Sequence, residues 1–260
     1  MKKIIYFLII LSGFIHTVKA EELLLMVDFQ QTHSTEMQQI RDMLLKENRV
    51  MSLVKFMNDE FKVSPKGSIK LVFSDADDEE DSGAYTDLAT RVVVIPYQFI
   101  QEVKNRFEKT HYSETNLNID VAAIDVVLHT ILHETAHAMI TFYDVPIVGK
   151  EEDAADSLAT FILSERFEEG QEIAISAADL FDLERQDNNE LDEANYWGEH
   201  SLEAQRFYTT MCHVYGSNPE RYTDLLNELN IDKKRQTLCI DEYQRLARSW
   251  VRLLADWLKK

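Results

Sequence analysis

The chain contains few of the residues that build cysteine-rich or loosely linked scaffolds. Its 260 residues include 2 cysteines, 7 glycines and 4 prolines. Two distant cysteines cannot supply the closed, cysteine-rich ligand set of a structural zinc site. Scarce glycine and proline leave no long disordered linker, and no internal repeat is present. The length suits one large domain or two small lobes, and we predict a single domain over residues 21–260.

Basic residues are also scarce. The chain has 27 lysines and arginines against 46 aspartates and glutamates, which gives a formal net charge of −19. No stretch is basic enough to bind nucleic acid or an anionic membrane surface. Nucleic acid is therefore excluded as an expected partner, whereas the oligomeric state stays open.

Long apolar runs are missing except at the N-terminus. Lys2 and Lys3 precede the apolar residues 4–15, and the segment ends at the small residue Ala20. This order is typical of a secretory signal peptide, and an apolar run of about twelve residues is too short for a stable membrane span. We predict a signal peptide over residues 1–20 and a periplasmic or secreted mature protein without a membrane anchor.

Export changes the interpretation of the two cysteines. In an oxidising compartment, an isolated pair such as Cys212 and Cys239 favours a disulfide. The chain-entropy model gives such a bridge about 3–4 kcal/mol of stabilisation. Two buried thiols are the alternative.

The distribution of patterns predicts an α+β fold. Strand-like runs cover residues 23–29, 68–74 and 90–97, whereas apolar residues recur at helical spacing over 35–61. Helical patterns dominate from residue 98 onward. A small N-terminal sheet is therefore expected, followed by a predominantly helical C-terminal half.

A helical metal-binding signature lies at residues 133–137, which read H-E-T-A-H. Histidines four residues apart share one helical face, so His133 and His137 can reach one Zn²⁺. Glu134 is then placed as general base for a water activated by the metal. Apolar residues from Val121 onward form a stripe at helical spacing, and both histidines lie at its edge. A chance match in an ordinary amphipathic helix is the alternative.

The third ligand is expected in the next helix. A catalytic zinc ion needs three protein ligands, and residues 151–156 read E-E-D-A-A-D after a turn at Pro146 and Gly149. One carboxylate leaves the site a net positive charge, so we predict Glu152 as the ligand. Asp156, on the same face, is predicted to orient a histidine from outside the ligand shell. Acidic residues also favour any helix N-terminus, which is the ordinary explanation.

The same residues exclude one zinc-peptidase class and resemble another. A metzincin would need glycine and histidine where the chain has Ile140 and Tyr143. The two zinc motifs resemble those of the gluzincins. From about Gly83 to the C-terminus, the chain is similar to a bacterial metallopeptidase family of unknown function, with W-G-E-H at residues 197–200 and the cysteine pair among the shared landmarks.

The resemblance implies a zincin-like fold and peptidase activity on a peptide or protein substrate. It gives the strand at residues 91–97 a role as the edge strand that pairs with substrate, although a buried central strand fits the apolar run as well. Gluzincins draw an oxyanion donor from a downstream histidine or tyrosine, here His200, with Tyr196 and Tyr208 as substitutes. His200 packing at the start of a helix from Ser201 is the rival interpretation.

Three hypotheses for function follow. The first is an exported zinc-dependent peptidase that binds one Zn²⁺ through His133, His137 and Glu152 and uses Glu134 as base. The second is a non-catalytic zinc-binding module that holds a protein or peptide partner, against which an intact Glu134 argues. The third is a helical interaction domain without a metal.

Overall fold

The computed structural model describes residues 23–76, 82–110, 118–187, 191 and 193–259; the predicted signal peptide lies outside them. The strands are β1 Leu25–Phe29, β2 Ile69–Ser74, β3 Tyr85–Asp87 and β4 Val92–Pro96. The helices are α1 Thr35–Glu47, α2 Arg49–Glu60, α3 Tyr97–Lys109, α4 Ile119–Phe142, α5 Glu151–Arg166, α6 Gly170–Asp187, α7 Glu193–Trp197, α8 Glu203–Ser217, α9 Thr223–Glu228 and α10 Lys233–Leu253. The predicted α+β class, with its sheet in the N-terminal half, is confirmed.

The four strands form one sheet in the order β1-β2-β4-β3. The pairs β1–β2 and β2–β4 are parallel, whereas β3 runs antiparallel to β4. The strand β4 is therefore central. Of the two interpretations left open for residues 91–97, the buried central strand is confirmed and the edge strand is wrong. Its neighbour β3 has three residues, too short to produce an alternating pattern, and this strand occupies the edge.

The helical pattern over residues 35–61 corresponds to two helices. Asn48 interrupts it with a φ of 51°, a left-handed conformation that asparagine tolerates better than most residues. Ser34 begins the first helix, since its side chain accepts a hydrogen bond from the backbone of Met37.

Helix α4 forms the centre of the molecule. It packs against α3, α5, α6 and the sheet, and 17 of its 24 residues are buried. The expected apolar stripe is therefore too narrow a description, because neighbours cover the helix on nearly every side. His133 and Glu134 are themselves buried, at 6% and 8% exposure. The signature thus lies inside the fold beside a cleft.

A disulfide joins Cys212 of α8 to Cys239 of α10, with the two Cα atoms 5.0 Å apart. The predicted bridge is confirmed, and two buried thiols are ruled out. Close contact of the helices also depends on Gly216, because a Cβ there would lie 2.5 Å from the carbonyl oxygen of Cys239. No helix in the described ranges is long and apolar enough to cross a membrane.

Candidate metal centre

Two histidines of α4 and one glutamate of α5 bring three ligand atoms together. The Nε2 atoms of His133 and His137 are 3.2 Å apart, and Glu152 Oε2 lies 3.1 Å from the first and 3.4 Å from the second. Ligands at about 2.0–2.1 Å in a tetrahedron are separated by about 3.3–3.4 Å. The triangle therefore fits an ion of that size, and its donor set is one that catalytic zinc uses.

The turn after α4 returns the chain over the two histidines. Gly149 has a φ of 145°, where a side chain would be strained. Lys150 then takes an extended conformation as N-cap, and α5 begins at Glu151. Because α5 packs along α4, its first turn directs Glu152 toward the histidines.

The outer nitrogen of each histidine also has a carboxylate partner. His133 Nδ1 is 2.7 Å from Asp156 Oδ1, and His137 Nδ1 is 2.8 Å from Glu151 Oε1. Such partners fix the tautomer in which Nδ1 carries the proton and the Nε2 lone pair faces the ligand triangle. The structure thus brings Asp156 to the place predicted for it. Glu151, attributed only to an acidic first turn, has the equivalent position at His137.

Arg206 of α8 supports this arrangement from behind. Its Nε and Nη2 donate to Asp156 Oδ2 and Oδ1 at 2.9 and 3.1 Å. The guanidinium also lies 3.9 Å above the ring of Phe181. Burial alone would raise the pKa of Asp156, but Arg206 and His133 hold it well below its usual range. Asp156 is therefore a fixed, ionised acceptor.

The electrostatics of the triangle favour positive charge. Burial opposes protonation of His133, but hydrogen bonds to Asp156 and Glu152 raise its pKa to about 9. Burial would likewise raise the pKa of Glu152, yet hydrogen bonds from His133, His137 and His200 hold it far below its usual range. A divalent cation would supply the charge that these carboxylates attract.

Glu134 lies beside the triangle, and an edge-strand hydroxyl holds it. Thr86 Oγ1 of β3 is 2.7 Å from Glu134 Oε2 and 2.8 Å from its carbonyl oxygen. Glu134, His133 and His200 line one cavity of about 240 Å³. Space for a substrate group is therefore next to both a potential base and the ligand triangle.

Comparison with known families agrees with this geometry. The sequence model of the family DUF4344, described as “Putative metallopeptidase”, matches residues 29–254. The chain belongs to this family. The expected resemblance is confirmed, and the match includes both α4 and α5. Neither a curated protein nor a solved structure matches the chain significantly.

In this member of the metallopeptidase family, a lysine places the downstream histidine. His200 Nε2 is 2.9 Å from Glu152 Oε2. Lys150 Nζ donates to the carbonyl oxygens of Gly198 and His200 at 3.1 and 2.9 Å, which ties their loop to the start of α5. Tyr196 and Tyr208, the substitute candidates, are 63% and 49% exposed.

The sequence did not predict the contacts that four residues make around the site: Thr86, Lys150, Glu151 and Arg206. Thr86 belongs to a very short strand, and Arg206 lies 50 residues beyond its partner Asp156. Neither relation has a periodic signal. Histidines that bind a metal through Nε2 usually donate Nδ1–H to an acceptor. The acidic turn at residues 151–156 could therefore have indicated Glu151 as the partner of His137.

Proposed function

We propose that this chain is an exported zinc-dependent peptidase. One observation supports the proposal most directly: three ligand atoms of His133, His137 and Glu152 lie 3.1–3.4 Å apart, and the Glu134 carboxylate lines the cavity beside them. Two neutral imidazoles and one carboxylate would leave a bound zinc ion a net positive charge. A zinc ion held there would lower the pKa of water and polarise a peptide carbonyl.

Glu134 supplies the base in this proposal. Thr86 donates to Oε2, which fixes the carboxylate and leaves Oε1 to accept a proton from the attacking water. The same carboxylate then passes that proton to the leaving amine nitrogen as the C–N bond breaks. Burial of Glu134 in the cavity wall keeps bulk water from competing for the proton.

The strand β3 is suited to hold the substrate backbone. It lies at the end of the strand order, and Thr86 connects it directly to Glu134. An extended peptide added along such an edge gains main-chain hydrogen bonds that do not depend on side-chain sequence. We assign to β3 the role that the sequence had suggested for residues 91–97.

His200 is proposed as the donor to the developing oxyanion. Lys150 donates to the carbonyl oxygens of Gly198 and His200. This contact fixes the loop that carries His200, so the imidazole is already placed near Glu152. A donor positioned before the reaction stabilises new negative charge without reorganisation. The rival role, in which His200 caps or packs at the start of the helix, has less support. At the start of α8, the Leu202 N–H donates to Gln205 Oε1 instead.

Location outside the cytoplasm completes the proposal. The N-terminal segment predicts export, and the Cys212–Cys239 disulfide persists most readily in an oxidising compartment. Periplasm and secretion fit equally.

Metal removal and restoration test the proposed activity. We expect about one zinc ion per chain by elemental analysis, and cleavage of peptides from a proteome digest by mass spectrometry. A chelator should abolish cleavage, and stoichiometric zinc should restore it. Zinc binding without any cleavage would favour the non-catalytic module, whereas a purified protein that binds no zinc would overturn the proposal.

Replacing Arg206 with methionine should weaken zinc binding. The change removes the bidentate contact that fixes Asp156, so His133 loses its oriented acceptor. We expect a loss of about 10–100-fold in affinity, as is typical for outer partners of metal ligands, measured by competition with a chromogenic chelator. Arg221→Met is a matched control, because Arg221 pairs with Glu172 at the surface. Equal affinities in the two variants would contradict the role.

A further inference from the structure

The cavity beside Glu134 has a mixed lining that indicates what it accepts. Helices α3, α4 and α6 contribute an apolar wall that includes Phe99, Val126, Leu180 and Phe181. Besides Glu134, one acidic side chain lines the same cavity, Glu184 of α6, and the lining also includes Arg206 and the histidines His129, His133 and His200. An apolar wall alone would suit any large aliphatic or aromatic group. Glu134 is assigned to the base, and Arg206 is already bound to Asp156 and Glu203, so Glu184 is the charged group that restricts the occupant.

Glu184 has no close cation within the described part of the chain. No hydrogen bond, and no ion pair within 4.0 Å, joins its carboxylate to another described residue. Burial and repulsion from Glu203 raise the pKa of Glu184 to about 7. Two arginines act on it at longer range, but each is already bound to carboxylates: Arg206 to Asp156 and Glu203, and Arg106 to Glu102 and Asp187.

We propose that Glu184 makes this cavity a subsite for a lysine or arginine side chain next to the scissile bond. The proposal rests on the peptidase function and names its substrate class. The aliphatic stem of such a side chain packs against the apolar wall, while its charged end pairs with Glu184. A partly desolvated pair of this kind is stronger than one in water.

Competing side chains fit less well. A neutral apolar group leaves the half-buried carboxylate without a counter-charge, and an acidic group adds repulsion from Glu184 and Glu203. The formal net charge of −19 also attracts cationic substrates toward the molecule. Selection therefore operates through charge at the end of the side chain and through apolar contact along its stem.

Peptide pairs that differ in charge alone provide the test. Zinc-loaded Glu134→Gln protein is titrated with short labelled peptides carrying arginine or its neutral isostere citrulline at each position in turn. We expect at least one position where arginine binds about tenfold more tightly. Adding Glu184→Gln should remove that preference, and adding Glu184→Lys should replace it with a preference for glutamate. Asp182→Asn, on the same helix, is the matched control and should retain the arginine preference.

The outcomes separate the subsite from the peptidase function. If wild-type protein cleaves peptides but no position prefers arginine over citrulline, the subsite is wrong and the function stands. If wild type cleaves nothing while the arginine preference depends on Glu184, the function fails and the cationic subsite stands. A preference that survives Glu184→Gln, or a failure of every peptide to bind, overturns the subsite.

Discussion

Replacing Glu134 with glutamine should lower the rate of peptide hydrolysis by at least about 100-fold while zinc content stays at one ion per chain. Glutamine keeps the length of the side chain and can still accept the Thr86 hydroxyl, so the cavity retains its shape. Its amide cannot accept a proton from water at neutral pH. The measurement is the single-turnover rate on a cleaved peptide, together with elemental analysis of the same preparation.

Two further variants make that result specific. Glu134→Asp keeps a carboxylate on a side chain that is one methylene group shorter. This variant should therefore recover part of the rate that Glu134→Gln loses. Glu108→Gln removes a charge from an exposed position on α3 and should leave the rate unchanged. An unaltered rate in Glu134→Gln would mean that hydrolysis takes place elsewhere on the protein.

Local patterns predicted the parts of the site that lie close together in sequence. His133, Glu134 and His137 lie within five residues of one helix, whose 3.6-residue period fixes their relative directions before any tertiary contact is known. The prediction of Glu152 and Asp156 needed one further assumption, that a turn of a few residues brings the next helix back over the two histidines. The geometry brings Glu152 to the ligand triangle and Asp156 to His133 Nδ1. Charge counting had favoured one carboxylate ligand over two, with Glu152 placed as that ligand.

Contacts between distant segments could not be predicted in the same way. Arg206 reaches Asp156 because α8 packs against α5, and no spacing rule relates the two positions. Thr86 reaches Glu134 because β3 pairs antiparallel with β4 and faces α4. Three residues cannot show a period of two convincingly. The sequence left the edge strand undecided for that reason, since the stronger apolar run belongs to its buried neighbour.

The same limit applies to helix boundaries. Residues 35–61 keep a helical apolar pattern through Asn48, because both helices bury one side against the same core. The break depends on one backbone conformation, with a φ of 51°, and leaves the pattern nearly intact. Two helices that bury one side against the same core therefore give one continuous apolar pattern, and the pattern does not show where the first helix ends.

The two carboxylates of α5 should differ sharply in their effect on zinc. Glu152→Gln replaces an anionic oxygen of the ligand triangle with a poorly donating amide, so one of the three bonds to the metal is lost or severely weakened. Asp156→Asn removes the same charge but leaves an oxygen able to accept a hydrogen bond from His133 Nδ1. Both changes keep side-chain volume, so position rather than size determines the difference.

We expect Asp156→Asn to reduce zinc affinity by about 10–100-fold and Glu152→Gln to reduce it well beyond that range, with zinc absent from the purified variant. Chelator competition gives the two affinities, and thermal unfolding in excess chelator shows whether the metal-free proteins fold equally well. Asp156 also holds the buried Arg206, so some destabilisation is expected for Asp156→Asn alone. If Asp156→Asn purifies without zinc while Glu152→Gln retains it, the assignment is reversed: Asp156 is the ligand, and Glu152 orients the histidines.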